Sequence, residues 1–134
     1  MINFMKTLKV VAAVIIKDKK VFTAQRPNQG EVGLKWEFPG GKIEEGEREE
    51  EALYREIQEE FDTDLIVGEK IITITHQYKD FKIIMSGYFC TIKKGNLRLK
   101  EHLDSKWLPL DMIESVDWAP ADVPIMTEVK RKLI

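Results

Sequence analysis

Apolar residues change their period along the chain, and each change marks an element. Leu8 to Ile16 is a nearly unbroken apolar run, the pattern of a strand buried on both faces. "KDKK" (17–20) turns it into a second strand, "VFTAQR". Asn28 to Lys35, "NQGEVGLK", keeps no period and reads as a loop. From Arg48 to Phe61 the period becomes helical: Leu53, Ile57 and Phe61 recur every four residues and form one apolar stripe. "DLIVGEKIITITHQY" (64–78) and "FKIIMSGYFCTI" (81–92) then read as long strands joined at Lys79-Asp80, and "SKWLPL" (105–110) as another. "LDMIESV" (110–116) is a short helix candidate, and Ala121 to Leu133 a terminal one. Strands predominate, with two or three helices to cover their faces. The expected class is α/β, a sandwich around a mixed sheet.

The chain has 134 residues with no repeat and no low-complexity linker, so residues 1–134 read as one domain. Its charged fraction of 33% is ordinary for a globular protein, and a net charge of -2 argues against a partner that is a nucleic-acid polymer. Cys90, the single cysteine, lies in an apolar run and is expected to be a buried, inert thiol. The N-terminal apolar run stops at Lys17-Asp18-Lys19-Lys20, too short for a bilayer and without a small-residue cleavage site. The expectation is a soluble cytoplasmic protein with no membrane partner. Nothing demands an oligomer, and monomer and homodimer both stay open.

The chemistry is concentrated in "FPGGKIEEGEREEEALYREIQEEFDT" (38–63). At 100° per residue, Glu56, Glu59 and Glu60 share one side of the helix, next to its apolar stripe. Like charges at these spacings repel by a few tenths of a kcal/mol per pair. Clustered carboxylates are also the ligands that hard cations such as Mg²⁺ and Mn²⁺ prefer. A Glu-Glu run alone is ordinarily a solvated face. The preceding "PGG" alters that, because paired glycines let the backbone turn tightly and come close to a ligand. Gly41, Glu47, Arg55, Glu56, Glu59 and Glu60 stand at fixed spacing, a pattern met by chance on the order of once in ten million registers at ordinary usage.

This stretch resembles the signature of the Nudix hydrolases, G-x5-E-x7-R-E-U-x-E-E-x-G-U with U a bulky aliphatic. The likeness runs from Gly41 through Glu60 and then departs: Asp62 stands in place of the final glycine and Thr63 in place of the aliphatic residue. The resemblance implies an α/β/α sandwich. It implies that Glu56, Glu59 and Glu60, with the Gly41 carbonyl, hold Mg²⁺ or alternatively Mn²⁺, and that one of these glutamates deprotonates the attacking water. Glu47 and Arg55 are implied as a supporting pair outside the chemistry.

Beyond the motif, "VVAAVI", "FTAQRP", "WEFPGGKIE", "LKEHLDSKWLPL" and "APADVPIM" are similar, in that order, to the MutT-like nucleoside triphosphate pyrophosphohydrolases, and most so to the cytidine triphosphate group. That likeness implies phosphate contacts from Arg26 and Lys42, a further metal carboxylate from Glu101, and base recognition by Asp122. Taken ionised, Asp122 accepts hydrogen bonds only, which favours cytosine, guanine or 8-oxoguanine over uracil or thymine. Its alternative role is the N-cap of the last helix. Trp118 is either a base-stacking ring or a core residue, and His76 and His102 are assigned no role. The expected substrate is a small nucleoside triphosphate of the CTP, dCTP or 8-oxo-dGTP kind, with dinucleoside polyphosphates, ADP-ribose or a non-catalytic binding module as alternatives.

Overall fold

In the computed structural model of the chain, residues 6–134 are described; Met1 to Met5, part of the N-terminal segment read above, lie outside them. β1 (Lys6–Lys17) is central. It runs parallel to β6 (Phe81–Lys94) from Lys6 opposite Phe81 to Ile15 opposite Cys90, and β6 pairs antiparallel with β5 (Asp64–Gln77). The middle of β1 also pairs with the short β4 (Gly40–Lys42), Val10 facing Lys42 and Ala12 facing Gly40. Its far end turns through Asp18 and Lys19, both at positive φ (52° and 61°), into β2 (Lys20–Gln25). Two successive positive φ values are what a tight hairpin turn requires. β2 is flanked by β3 (Trp36–Glu37) and β7 (Asp104–Pro109). One parallel pair among antiparallel ones makes the sheet mixed.

β1 reads as a continuous apolar run because both its faces are covered. On one side Val11, Ala13 and Ile15 meet Leu53, Ile57 and Phe61 of α1 (Glu49–Phe61). On the other, Ala12 and Val14 join a core with Ile125, Met126 and Val129 of α2 (Val123–Leu133). The first turn of α1 is pinned to the sheet by the Glu49 carboxylate, which accepts from Ser86 Oγ and Tyr88 Oη at 2.7 Å and from Lys70 Nζ at 2.8 Å. Glu51 caps the same turn by accepting the Arg48 N–H at 2.9 Å. These contacts fix where Glu56 and Glu60 emerge, two and three turns further on.

Two expected elements differ. Only Leu110–Met112 of "LDMIESV" is helical, as a single 3₁₀ turn. The Ile113 carbonyl, which an α-helix would offer to the Asp117 N–H, instead accepts the Trp118 indole at 2.7 Å. The terminal helix begins at Val123, preceded by a 3₁₀ turn over Pro120–Asp122. Cys90 is buried as expected, and burial pushes its thiol up to about 12. Among the described residues no helix is long and apolar enough to cross a membrane.

Candidate active site

β4 runs so close to α1 that a Cβ on Gly41 would fall inside contact distance of the Glu56 carboxyl. A side chain here would displace that carboxylate from its place beside the strand. Glu47, in the loop that joins the two elements, is held by Arg55 through Nε–Oε2 at 2.7 Å and Nη2–Oε1 at 2.9 Å. The Arg55 hydrogen bond, and then the Glu44 N–H, draw the Glu47 carboxyl down to about 2. The same guanidinium donates to Glu56 at 2.9 Å, to Glu59 at 3.3 Å and to the Lys42 carbonyl at 3.0 Å. Arg55 therefore ties loop, strand and acidic face into one unit.

This unit forms one side of a cavity of about 740 Å³. Gly41, Glu56, Glu60 and Glu101 line it together, Glu101 arriving on the segment between β6 and β7. Glu60 accepts no hydrogen bond from any described residue. Burial first, then the neighbouring Glu56, lifts its carboxyl to about 7, with smaller repulsions from Glu101 and Glu37 and an opposing effect of His102. Glu60 and Glu101 converge beside Glu56 with no ion pair of their own among the described residues, and clustered carboxylates are the donor set of a hard divalent cation. The cage is not preformed: among the described residues no three His, Cys, Asp or Glu side chains are arranged to hold an ion as they stand. Glu56 leans on Arg55, and Glu59, its side chain 60% exposed, pairs with Arg55 and does not line the cavity.

Val10, Phe38, Tyr78, Phe81 and Met85 form an apolar part of the same cavity, with Asp122 among them. Asp122 is 5% exposed, and its Oδ2 accepts the Phe38 N–H at 2.9 Å. Although Asp122 precedes α2, its side chain caps no helix N–H. Burial above all, and then the charge of Glu37, push its carboxyl well above the usual range. That direction disfavours the ionised, acceptor-only Asp122 expected from the sequence and favours the protonated acid, which carries both a donor and an acceptor. Of the two readings of Trp118, its placement supports the core one. It does not line the cavity; it is buried, with its ring 4.4 Å from Phe38 on the core side and its indole bonded to Ile113.

Arg26 lines the cavity, its Nη1 bonded to Glu37 Oε1 at 2.7 Å while its Nε is buried without a partner. Glu37 Oε2 meets His102 Nε2 at 2.9 Å. Sequence reasoning missed Glu37, His102, Tyr78 and Phe81. Glu37 lies inside the quoted "WEFPGGK" and His102 beside Glu101, yet neither spacing nor period distinguishes them from ordinary surface residues. Lys42 lines the cavity from an exposed position.

A family description, "NUDIX domain", matches residues 10–128. The chain is 34% identical over 122 residues to the CTP pyrophosphohydrolase of Escherichia coli (strain K12), covering 91% of this chain and 90% of that one. It is 41% identical over 97 residues to the 8-oxo-dGTP diphosphatase of Proteus vulgaris, covering 72% and 87% respectively. The solution structure of the DNA mismatch repair protein MutT of methicillin-resistant Staphylococcus aureus 252 superposes with a TM-score of 0.79 at 41% identity, over 96% of this chain and 99% of that one. Hydrolases of this kind generally use divalent metal cations. With the glycine-supported acidic helix, the Arg55–Glu47 brace and matches that span nearly its whole length, the chain belongs to the Nudix hydrolase family.

Proposed function

We propose that this protein is a Mg²⁺-dependent nucleoside triphosphate pyrophosphohydrolase, splitting a (d)NTP with water into the (d)NMP and pyrophosphate, with Mn²⁺ as a substitute ion. One observation carries the reading. The cavity joins an acidic part, where Glu56, Glu60 and Glu101 converge, to an apolar part with a single buried acid, Asp122. Such a cavity suits a ligand with a metal-bound polyphosphate at one end and a flat, weakly polar base at the other.

Glu56, Glu60, Glu101 and the Gly41 carbonyl would hold the cation, with Glu59 recruited from Arg55. When bound, the ion orients the phosphates and neutralises charge developing on them. Glu60, which lines the cavity and accepts no hydrogen bond from a described residue, is placed to take the proton of the attacking water. Arg26 and Lys42 also line the cavity and serve the phosphates, Arg26 through the N–H groups that Glu37 does not occupy. Phe38, Tyr78 and Phe81 supply the ring surface for the base in place of Trp118.

A neutral Asp122 matches any base edge carrying a donor beside an acceptor. Cytosine and guanine-type bases qualify, and so does uracil, so a protonated Asp122 would not by itself select against uracil or thymine. The names of the similar proteins favour CTP, dCTP or 8-oxo-dGTP as substrates. The test is pyrophosphate release over CTP, dCTP, 5-methyl-dCTP, dGTP, 8-oxo-dGTP, UTP and ATP, with ADP-ribose and a diadenosine polyphosphate alongside. Turnover of a triphosphate that EDTA abolishes supports the reading; turnover of only the last two compounds overturns it.

A further inference from the structure

The two positions that depart from the family motif, Asp62 and Thr63, are where the segment carrying Glu101 docks. Asp62 ends α1 in the left-handed region (φ 50°, ψ 40°), and its carboxylate meets Lys100 Nζ at 2.7 Å and Arg98 Nη1 at 3.8 Å. Thr63 is fully buried; its Oγ1 accepts the Leu97 N–H at 2.9 Å and donates to the Phe61 carbonyl at 2.9 Å. The contact is close along its length. A Cβ on Gly95, at φ +112°, would come within 2.7–2.9 Å of Thr63 Oγ1, Asp62 O and Thr63 Cα. Lys100 Nζ also donates to the Glu59 carbonyl at 2.9 Å, and the His102 ring stacks on Phe61 with centroids 5.2 Å apart. Glu101 thus stands between two residues that are both fastened to the end of the helix bearing Glu56 and Glu60.

We propose that Asp62 and Thr63 are positioning residues that dock the 95–103 segment on the end of α1 and so set Glu101 against the carboxylates of that helix. A glycine and an aliphatic residue at these positions would keep the helix end and lose both tethers. This rests on the reading that Glu101 helps to hold the cation. The Asp62–Lys100 pair is half exposed and contributes little to overall stability. Its use is geometric: it removes freedom from a loop that must deliver one carboxylate to a fixed place.

The test is Mn²⁺ binding to the metal-free protein, read from the electron paramagnetic resonance signal of free Mn²⁺, with melting temperatures measured alongside. E101Q weakens binding by about tenfold, and so does the D62G/T63V pair, the size usual for groups that orient a metal ligand. In the E101Q background D62G/T63V costs less than about twofold more, because what it positions is already gone. T63S, which keeps the hydroxyl, binds as the parent does. K100A, exposed and remote from the core, gives the same non-additive loss if T63V fails to fold. Unchanged affinity in D62G/T63V and K100A, or an equal loss with and without Glu101, overturns this proposal and leaves the function standing. Unchanged affinity in E101Q overturns it together with the cation role of Glu101.

Discussion

Arg55 grips Glu47 with two parallel hydrogen bonds, at 2.7 and 2.9 Å, while its remaining arm reaches Glu56 at 2.9 Å. One guanidinium therefore braces the loop and one of the carboxylates assigned to the cation. A lysine keeps the charge and cannot keep the fork. R55K is expected to lower kcat by about 10–100-fold through misplaced carboxylates, and to lower the melting temperature at the same time. Steady-state rates and thermal denaturation of the purified variant check both.

Glu60 is the carboxylate the account gives the largest chemical part. E60Q removes a charge and a proton acceptor with almost no change of shape, so turnover falls by about 10²–10⁴-fold. In the metal-free protein the same change is stabilising at neutral pH, because burial first, and then the charge of Glu56, disfavours a carboxylate at this position. Activity near that of the parent would remove Glu60 from the mechanism.

The raised Glu60 carboxyl also gives the metal-free protein a pH dependence of known sign. Above the ordinary value of 4.5 the unfolded chain releases this proton, while the folded chain keeps it until about pH 7. The folded state then binds more protons, so stability falls as pH rises through that window and levels off beyond it. Melting in EDTA at pH 5 and pH 8 should show a drop in the parent that is smaller in E60Q. A parent and variant that change in parallel would contradict the shift.

Asp122 separates stability from recognition. D122A leaves the buried Phe38 N–H without its acceptor, which costs about 1–3 kcal/mol, and it flattens preference among bases. D122N supplies a neutral donor and acceptor of the same shape, so it should fold as well as the parent and keep substantial turnover. Loss of fold or of all turnover in D122N would mean that the acid is needed ionised. Relative kcat/KM across the triphosphates, with melting curves, makes the distinction.

The long strands and α1 were legible because their cause is local, whereas the short β3 and β4 carry no period to read. Leu53, Ile57 and Phe61 declare a buried stripe, and a strand covered on both faces has no polar residues to interrupt it. "LDMIESV" misled because its end is decided by Trp118, whose indole takes the Ile113 carbonyl from outside the segment. In the candidate site, the Gly41-to-Glu60 spacing is a property of the sequence and could be read. The raised carboxyl of Asp122 could not, since it depends on burial in the folded chain and on the charge of Glu37, far away in the sequence. Nor could the use of Asp62 and Thr63, which looks like a departure from a motif until Leu97 and Lys100 are seen against them.

The central claim concerns which bond is broken, and product analysis on a single triphosphate tests it most directly. CTP incubated with the protein and Mg²⁺, without added pyrophosphatase, and resolved by ion-exchange chromatography should give CMP and pyrophosphate in equal amounts, with no reaction in EDTA. CDP with orthophosphate, or turnover indifferent to the metal, would contradict the account.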